Sequence, residues 1–182
     1  MFNRTHLRDL LAKAYSLALK SPDPSSQNGS VIAVRKENGD MEIIGEGFNH
    51  PYEGVTWHPD DRDQKLKEIE HAERDSIFDC GRKGFATQGA IMICPWAACY
   101  DCARAIIGSG CQALVYHKQR YLITDKRWIE QVNEALRWIE SAGIFIYEFD
   151  GPVTGTKPIL VSSKPWSPAS CGYVPEAAIV GR

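Results

Sequence analysis

The sequence has no long hydrophobic run, no excess of positive charge and no dense cysteine framework, and each absence removes a class of protein. Its longest uncharged stretch, Gly84 to Tyr100, is broken by Pro95 and falls short of a bilayer-spanning helix. Formal net charge is −2 over 182 residues, so no broad basic field invites nucleic acid, and neither a membrane nor a polynucleotide is expected as partner. Six cysteines are too few for a disulfide-stapled scaffold of this length. The first residues, with Arg4, His6, Arg8 and Asp9, lack the apolar core of a secretory signal, and a cytoplasmic location is expected. What is present, 43% hydrophobic and 24% charged residues, suits one globular unit with a buried core.

Hydrophobic periodicity then orders the chain. Leu7, Leu10, Leu11, Ala14 and Ala18 form a helical stripe behind an Asn3 or Thr5 cap, and the prolines at 22 and 24 stop it. Val31 to Val34 and Met41 to Phe48 read as strands joined through the turn-forming Asn38-Gly39. Residues 49 to 68 carry Pro51, Gly54, Pro59 and a dense run of charge, which predicts a long surface loop. A helix is expected from Ile69 to about Arg82, a buried strand from Ala90 to Cys94, and a helix from Cys99 to Ser109. Ala113 to His117 is a further strand. Asp125 caps a helix with the stripe Trp128, Ile129, Val132, Leu136 and Ile139, and Ile144 to Phe149 is a closing strand. The order α-β-β-α-β-α-β-α-β predicts an α/β fold, a three-layer α-β-α sandwich around a mixed five-stranded sheet. Five of the ten prolines fall after Asp150, so residues 1–150 are expected to form the main domain. Residues 151–182 are expected to form an extended tail, packed on the body or on a partner subunit.

Chemistry concentrates at the starts of two of these helices. His71-Ala72-Glu73 opens one, and Cys99-Tyr100-Asp101-Cys102 opens the other. A helix N-terminus stabilises thiolate through its free N–H groups and its dipole. Cys99 and Cys102, three apart, present both sulfurs on one face. One imidazole and two thiolates make three ligands, and a tetrahedral zinc ion then keeps its fourth position for water. Glu73, two residues from His71, is placed to reach that water without binding the metal. Two alternatives stand beside this reading. Cys94 offers a fourth sulfur that would close the site into a structural one, and a zinc-binding subunit without activity would use the tail for assembly.

H-x-E followed by a C-x-x-C pair is the signature of zinc-dependent deaminases. With it, Ser21-Pro-Asp-Pro-Ser-Ser-Gln-Asn-Gly29, Gly45-Glu-Gly-Phe-Asn-His-Pro51 and Leu114-Val-Tyr-His-Lys-Gln-Arg-Tyr121 resemble segments of the cytidine/deoxycytidylate deaminase superfamily, above all its deoxycytidylate (dCMP) deaminases. The resemblance runs from about Leu7 to Phe149. It departs at Ala98, where the family has proline, at Asn28, where it has valine, and at Phe48 and His50, where it has tyrosine and glycine.

The resemblance implies a cytidine deaminase-like fold and hydrolysis of dCMP to dUMP and ammonia, which feeds thymidylate supply. It implies Zn2+ held by His71, Cys99 and Cys102, with Glu73 as the catalytic acid–base. It places Asn49 at the sugar hydroxyl and Tyr121 near the substrate, with Asn28 and Ala72 as further substrate contacts. From the sequence itself, Ser21, Ser25 and Ser26 of the first loop are expected to bind the phosphate through hydroxyls and N–H groups, with Arg120 and Lys126 as further candidates. A homo-oligomer, often a hexamer, and a deoxynucleoside triphosphate effector are the implied partners. The family binds that effector with the help of the segment that carries Phe48 and His50 here. The Gly-Glu-Gly-Phe-Asn-His-Pro segment also resembles tRNA adenosine deaminases, and other cytosine nucleosides and nucleotides are alternative substrates.

Overall fold

The computed structural model describes residues 3–175; the end of the expected tail, residues 176–182, lies outside the described residues. In chain order the elements begin with α1 (Arg4–Ala18), β1 (Gly29–Arg35), β2 (Met41–Phe48), β3 (His50–Pro51), α2 (Arg62–Glu68), β4 (Ile69–Glu70), α3 (Ala72–Lys83) and β5 (Ile91–Ile93). They continue with α4 (Tyr100–Gly108), β6 (Ala113–His117), α5 (Lys118–Leu122), α6 (Lys126–Ser141) and β7 (Phe145–Phe149). The chain then adds β8 (Ile159–Val161), β9 (Lys164–Ser167) and β10 (Gly172–Tyr173).

The main sheet has the order β2-β1-β5-β6-β7. β1 runs antiparallel to both β2 and β5, while β5, β6 and β7 are mutually parallel. The sheet is therefore mixed, as the element order predicts, and its helices lie on both faces. Alternate residues of the central strands serve opposite faces. Val31, Ala33, Ile91, Ile93, Ala113 and Val115 pack with Leu7, Leu11 and Tyr15 of α1. Ile32, Met92 and Leu114 pack with Cys80 of α3, Cys102 and Ile106 of α4, and Ala135 and Ile139 of α6.

Helix α3 lies directly on β2, and glycine makes that approach possible. A β-carbon at Gly47 would collide with Ala72 O and Ser76 N on the α3 backbone. Close contact without a side chain is the packing reason for glycine there, and it fixes the height of the turn that carries His71 and Glu73.

Three features differ from the sequence expectation. Residues 49 to 68 hold the short helix α2, capped by Asp61, whose side chain accepts from Asp63 N and Gln64 N. Helix α3 starts at Ala72 rather than Ile69, because Ile69 and Glu70 pair with Pro51 and His50 as a two-residue ladder. Beyond residue 150, β10, β9 and β8 form a small antiparallel sheet whose Ile159, Val161 and Trp166 join the α1 side of the core. Short strands and prolines carry little periodic signal, so this sheet was invisible to pattern reading.

A buried histidine ties that segment down. His117 Nε2 lies 2.8 Å from Gly151 O, and Nδ1 lies 2.6 Å from the Tyr15 hydroxyl. A carbonyl only accepts, so Nε2 carries the ring proton and Tyr15 donates to Nδ1. Burial holds the imidazole pKa below its ordinary value, outweighing the Gly151 and Gln119 contacts that raise it. The unfolded chain therefore binds this proton more readily. The stability from neutral His117 is complete above the unfolded pKa, about 6.5, and is lost as pH falls below it. Thermal unfolding from pH 7.5 to 5 should show a declining Tm, at most about 1.4 kcal/mol per pH unit from this one proton. His117→Gln is expected to flatten that decline; an unchanged slope would place the titrating group elsewhere.

Candidate metal centre and active-site pocket

His71 and Cys99 are the N-cap residues of α3 and α4, and neither side chain is spent on capping. Their backbones are extended, with ψ of 147° and 178°, so both side chains point ahead of their helices. Cys102 sits in the first turn of α4 and is fully buried. His71 Nδ1 lies 3.5 Å from Cys99 Sγ and 3.4 Å from Cys102 Sγ, and the three ligand atoms fall within 4.8 Å of one another. A tetrahedral ion with metal–nitrogen and metal–sulfur bonds of about 2.0 and 2.3 Å separates nitrogen from sulfur by about 3.5 Å. The donor set and its spacing fit such an ion.

The charges agree with the geometry. Burial opposes a proton on His71, yet the Cys99 sulfur beside it raises its pKa to about 9. The Cys102 thiol, and His71 after it, overcome burial to bring Cys99 down to about 3. The hydrogen bond to Cys99 pushes Cys102 up, with burial and Glu73 adding to the rise. Glu73, 3% exposed, is pushed up by burial, with His71 opposing. It lines the same cavity as His71 and Cys99.

Cys94 does not join the trio. Its thiol donates to Trp96 O at 3.1 Å and accepts from Asn28 Nδ2 at 3.2 Å, and burial holds its pKa well above the ordinary value. Among the described residues the metal-binding group consists of three side chains. That leaves the fourth position of a tetrahedral ion to an outside ligand.

The two ligand-bearing helix starts are joined by a charged link absent from the sequence reading. Glu70 Oε1 accepts from His71 N at 2.7 Å and from Arg74 Nε at 2.6 Å. Arg74 also lies 3.5 Å from Asp101, within the Cys99–Cys102 turn.

The cavity above the trio has a volume of about 680 Å³, a size suited to a small ligand. Asn28, Asn49, Ser25 and Ala72 line it. Asn49 spends part of its amide on the backbone: Oδ1 accepts from Asn28 N at 2.7 Å and Nδ2 donates to Ser26 O at 2.8 Å. Two expected contacts lie outside this lining. Ser21 is buried off the cavity wall, where its hydroxyl accepts from Asp23 N at 3.2 Å. Tyr121 points away toward α6 and donates to Asn133 Oδ1 at 2.5 Å.

Other wall residues were not foreseen. Lys65, 7% exposed, donates to Asp23 Oδ1 at 2.8 Å and to the Ser25 hydroxyl. Asp23 Oδ1 also accepts from Ser25 N and Ser26 N, which sets the loop's shape. Lys65 sits in a run of charge that reads as a solvated face, so sequence holds no signal of its burial. Arg120, expected only as a further candidate for the phosphate, is 2% exposed and lies 4.4 Å from the Trp96 ring centroid. Its Nε and Nη1 are buried without a hydrogen-bond partner among the described residues, and it lines the cavity. Burial lowers its pKa to about 10, which leaves it charged at neutral pH.

A sequence model of the family described as "Cytidine and deoxycytidylate deaminase zinc-binding region" matches residues 4–118. The chain belongs to that family. Human deoxycytidylate deaminase is 27% identical over 124 residues, covering 64% of this chain and 66% of the relative. ComE operon protein 2 of Bacillus subtilis (strain 168) is 29% identical over 110 residues, covering 58% and 56%. The chain thus spans less than two thirds of the length of these curated relatives. The dCMP deaminase of cyanophage S-TIM5, crystallised with dCMP and dUMP, superposes with a TM-score of 0.62 at 15% identity. That match covers 81% of this chain and 99% of the other, and establishes the shared deaminase fold. No helix among the described residues is long and apolar enough to cross a membrane.

Proposed function

We propose that this deaminase-family chain hydrolyses dCMP to dUMP and ammonia, using zinc held by His71, Cys99 and Cys102. The carrying observation is the convergence of those three side chains into one group, of which His71 and Cys99 line a single cavity together with buried Glu73. When bound, zinc supplies the Lewis acidity that brings a water pKa near neutrality. Glu73 would receive one proton of the attacking water and deliver it to ring N3, then take the second from the new C4 hydroxyl and pass it to the amine, which departs as ammonia. The water oxygen bonds to C4 first; the C4–N bond then breaks as that oxygen, its proton gone to the amine, becomes the carbonyl of dUMP. Asn28 and Asn49 hold the cavity wall in register for the sugar, and Arg74 and Glu70 keep the two ligand-bearing turns together.

The phosphate is supported by Arg120. A buried guanidinium without an anionic partner is costly, and a phosphate in this cavity would satisfy it. The related human deoxycytidylate deaminase and the cyanophage enzyme's dCMP complex favour the same substrate. The proposal extends to a homo-oligomer in which residues 1–150 form the catalytic unit and the following segment is appended to it.

Ammonia release from dCMP, CMP, deoxycytidine, dCTP and tRNA, each offered to the zinc-loaded protein, tests the reading. Turnover of dCMP in clear preference to deoxycytidine is expected. Arg120→Met should remove about tenfold or more of that preference. Equal use of nucleoside and nucleotide would overturn the phosphate assignment, and turnover of tRNA alone would overturn the substrate.

A further inference from the structure

The segment beyond the family-matched residues 4–118 reaches the cavity. Strands β8 and β9 form a hairpin whose turn residues, Ser162 and Ser163, are exposed and line the cavity beside Ser25 and Ser26. The hairpin is pinned to that loop at three points. Gln27 N donates to Leu160 O at 2.9 Å, Leu160 N donates to Gln27 Oε1 at 2.9 Å, and Ser163 N donates to Ser25 O at 2.7 Å. Polar contacts run from Cys94 through Asn28 and Asn49 to Ser26, and Ser163 then docks on Ser25. Cys94 stands close to Glu73, and the serine turn stands at the other end of this series of contacts.

The turn is built from an unfavourable pair. Ser162 and Ser163 both adopt the left-handed region, with φ of 51° and 61°. A two-residue hairpin turn of this kind favours Asn-Gly, which takes these angles at lower cost. Serine at both positions retains two hydroxyls at the cavity mouth that the cheaper pair would not supply, and the conformation persists because the Ser25 and Gln27 contacts hold it.

We infer that the Ser162–Ser163 turn is a specificity-determining wall of the substrate pocket, receiving, together with Arg120 of the same cavity, the phosphate-bearing end of the nucleotide while the base faces Glu73. The inference rests on the nucleotide reading above. A ligand whose reacting amine lies at the metal centre extends its opposite end toward the rim, where the two hydroxyls can donate to phosphate oxygens. The C-terminal segment thereby takes part in choosing the substrate, although none of its described residues belongs to the group of candidate metal ligands.

Dissociation constants for dUMP and deoxyuridine, measured by calorimetry on the zinc-loaded wild type, Ser162→Asp and the double variant Ser162→Asn/Ser163→Gly, test this. Aspartate and Asn-Gly are all tolerated in the left-handed region, so the hairpin should persist. Ser162→Asp is expected to bind dUMP about tenfold more weakly through charge repulsion, with deoxyuridine changed less than about twofold. The double variant should lose a smaller, several-fold share for dUMP alone. Wild-type affinity for dUMP in both variants, or an equal loss for both ligands in Ser162→Asp, overturns the inference by itself. A wild type that holds deoxyuridine as tightly as dUMP overturns the nucleotide reading, and this inference with it.

Discussion

Glu73→Ala is expected to lose about a hundredfold to ten-thousandfold of turnover while its metal content stays at the wild-type level. Glu73 lines the cavity as the second residue of α3, at the turn capped by His71, yet it is not part of the three-residue ligand group. Its carboxylate is buried to 3% exposure, and that burial raises its affinity for a proton. A group held this way can take a proton and release it within one catalytic cycle. Ammonia release and atomic absorption on the same preparation check both halves. A variant that still turns over, or that loses its metal, would remove Glu73 from the acid–base role.

The second large effect separates an open centre from a closed one. Cys99→Ser should lose most of its metal on dialysis and all measurable turnover, while Cys94→Ala keeps its metal. The first substitution is mild for the fold. Residue 99 is the N-cap of α4, and serine is among the best N-caps, so the helix should remain. A serine hydroxyl is nonetheless a poor substitute for thiolate at zinc. Cys94 makes its contacts with Trp96 O and Asn28, outside the ligand group. Metal lost from Cys94→Ala would restore the four-ligand structural site.

The parts legible in sequence are those whose geometry is local. Val31, Ile32 and Ala33 alternate between the two faces of the sheet because side-chain direction in a strand has period two. His71, Glu73, Cys99 and Cys102 were readable as a group because each pair is set by one helical turn, and the intervening strand β5 brings the two turns together. Burial was not legible where polar residues carry it. Lys65 stands in a charged run and is buried only because Asp23, 42 residues earlier, folds back to meet it. Tyr121 was expected near substrate from its place in a matching segment. The helical turn of α5 instead aims it at Asn133, a contact fixed by how α6 packs. Ser162 and Ser163 offered no hairpin signal, since the turn lacks the usual asparagine and glycine.

The pairing of Gln27 with Leu160 spans 133 residues, and that span bears on synthesis of the chain. Helix α1 emerges before the other described elements, with Leu7, Leu11 and Tyr15 needing cover. Part of that cover comes from Val153, Ile159 and Trp166, which emerge among the last described residues. Contacts this distant in sequence form late, because loop closure must be paid before they contribute. A chain cut after β7 would still carry His71, Cys99 and Cys102, yet it would expose an apolar face that the longer chain buries. The failure of such a fragment is expected to be aggregation before any loss of chemistry.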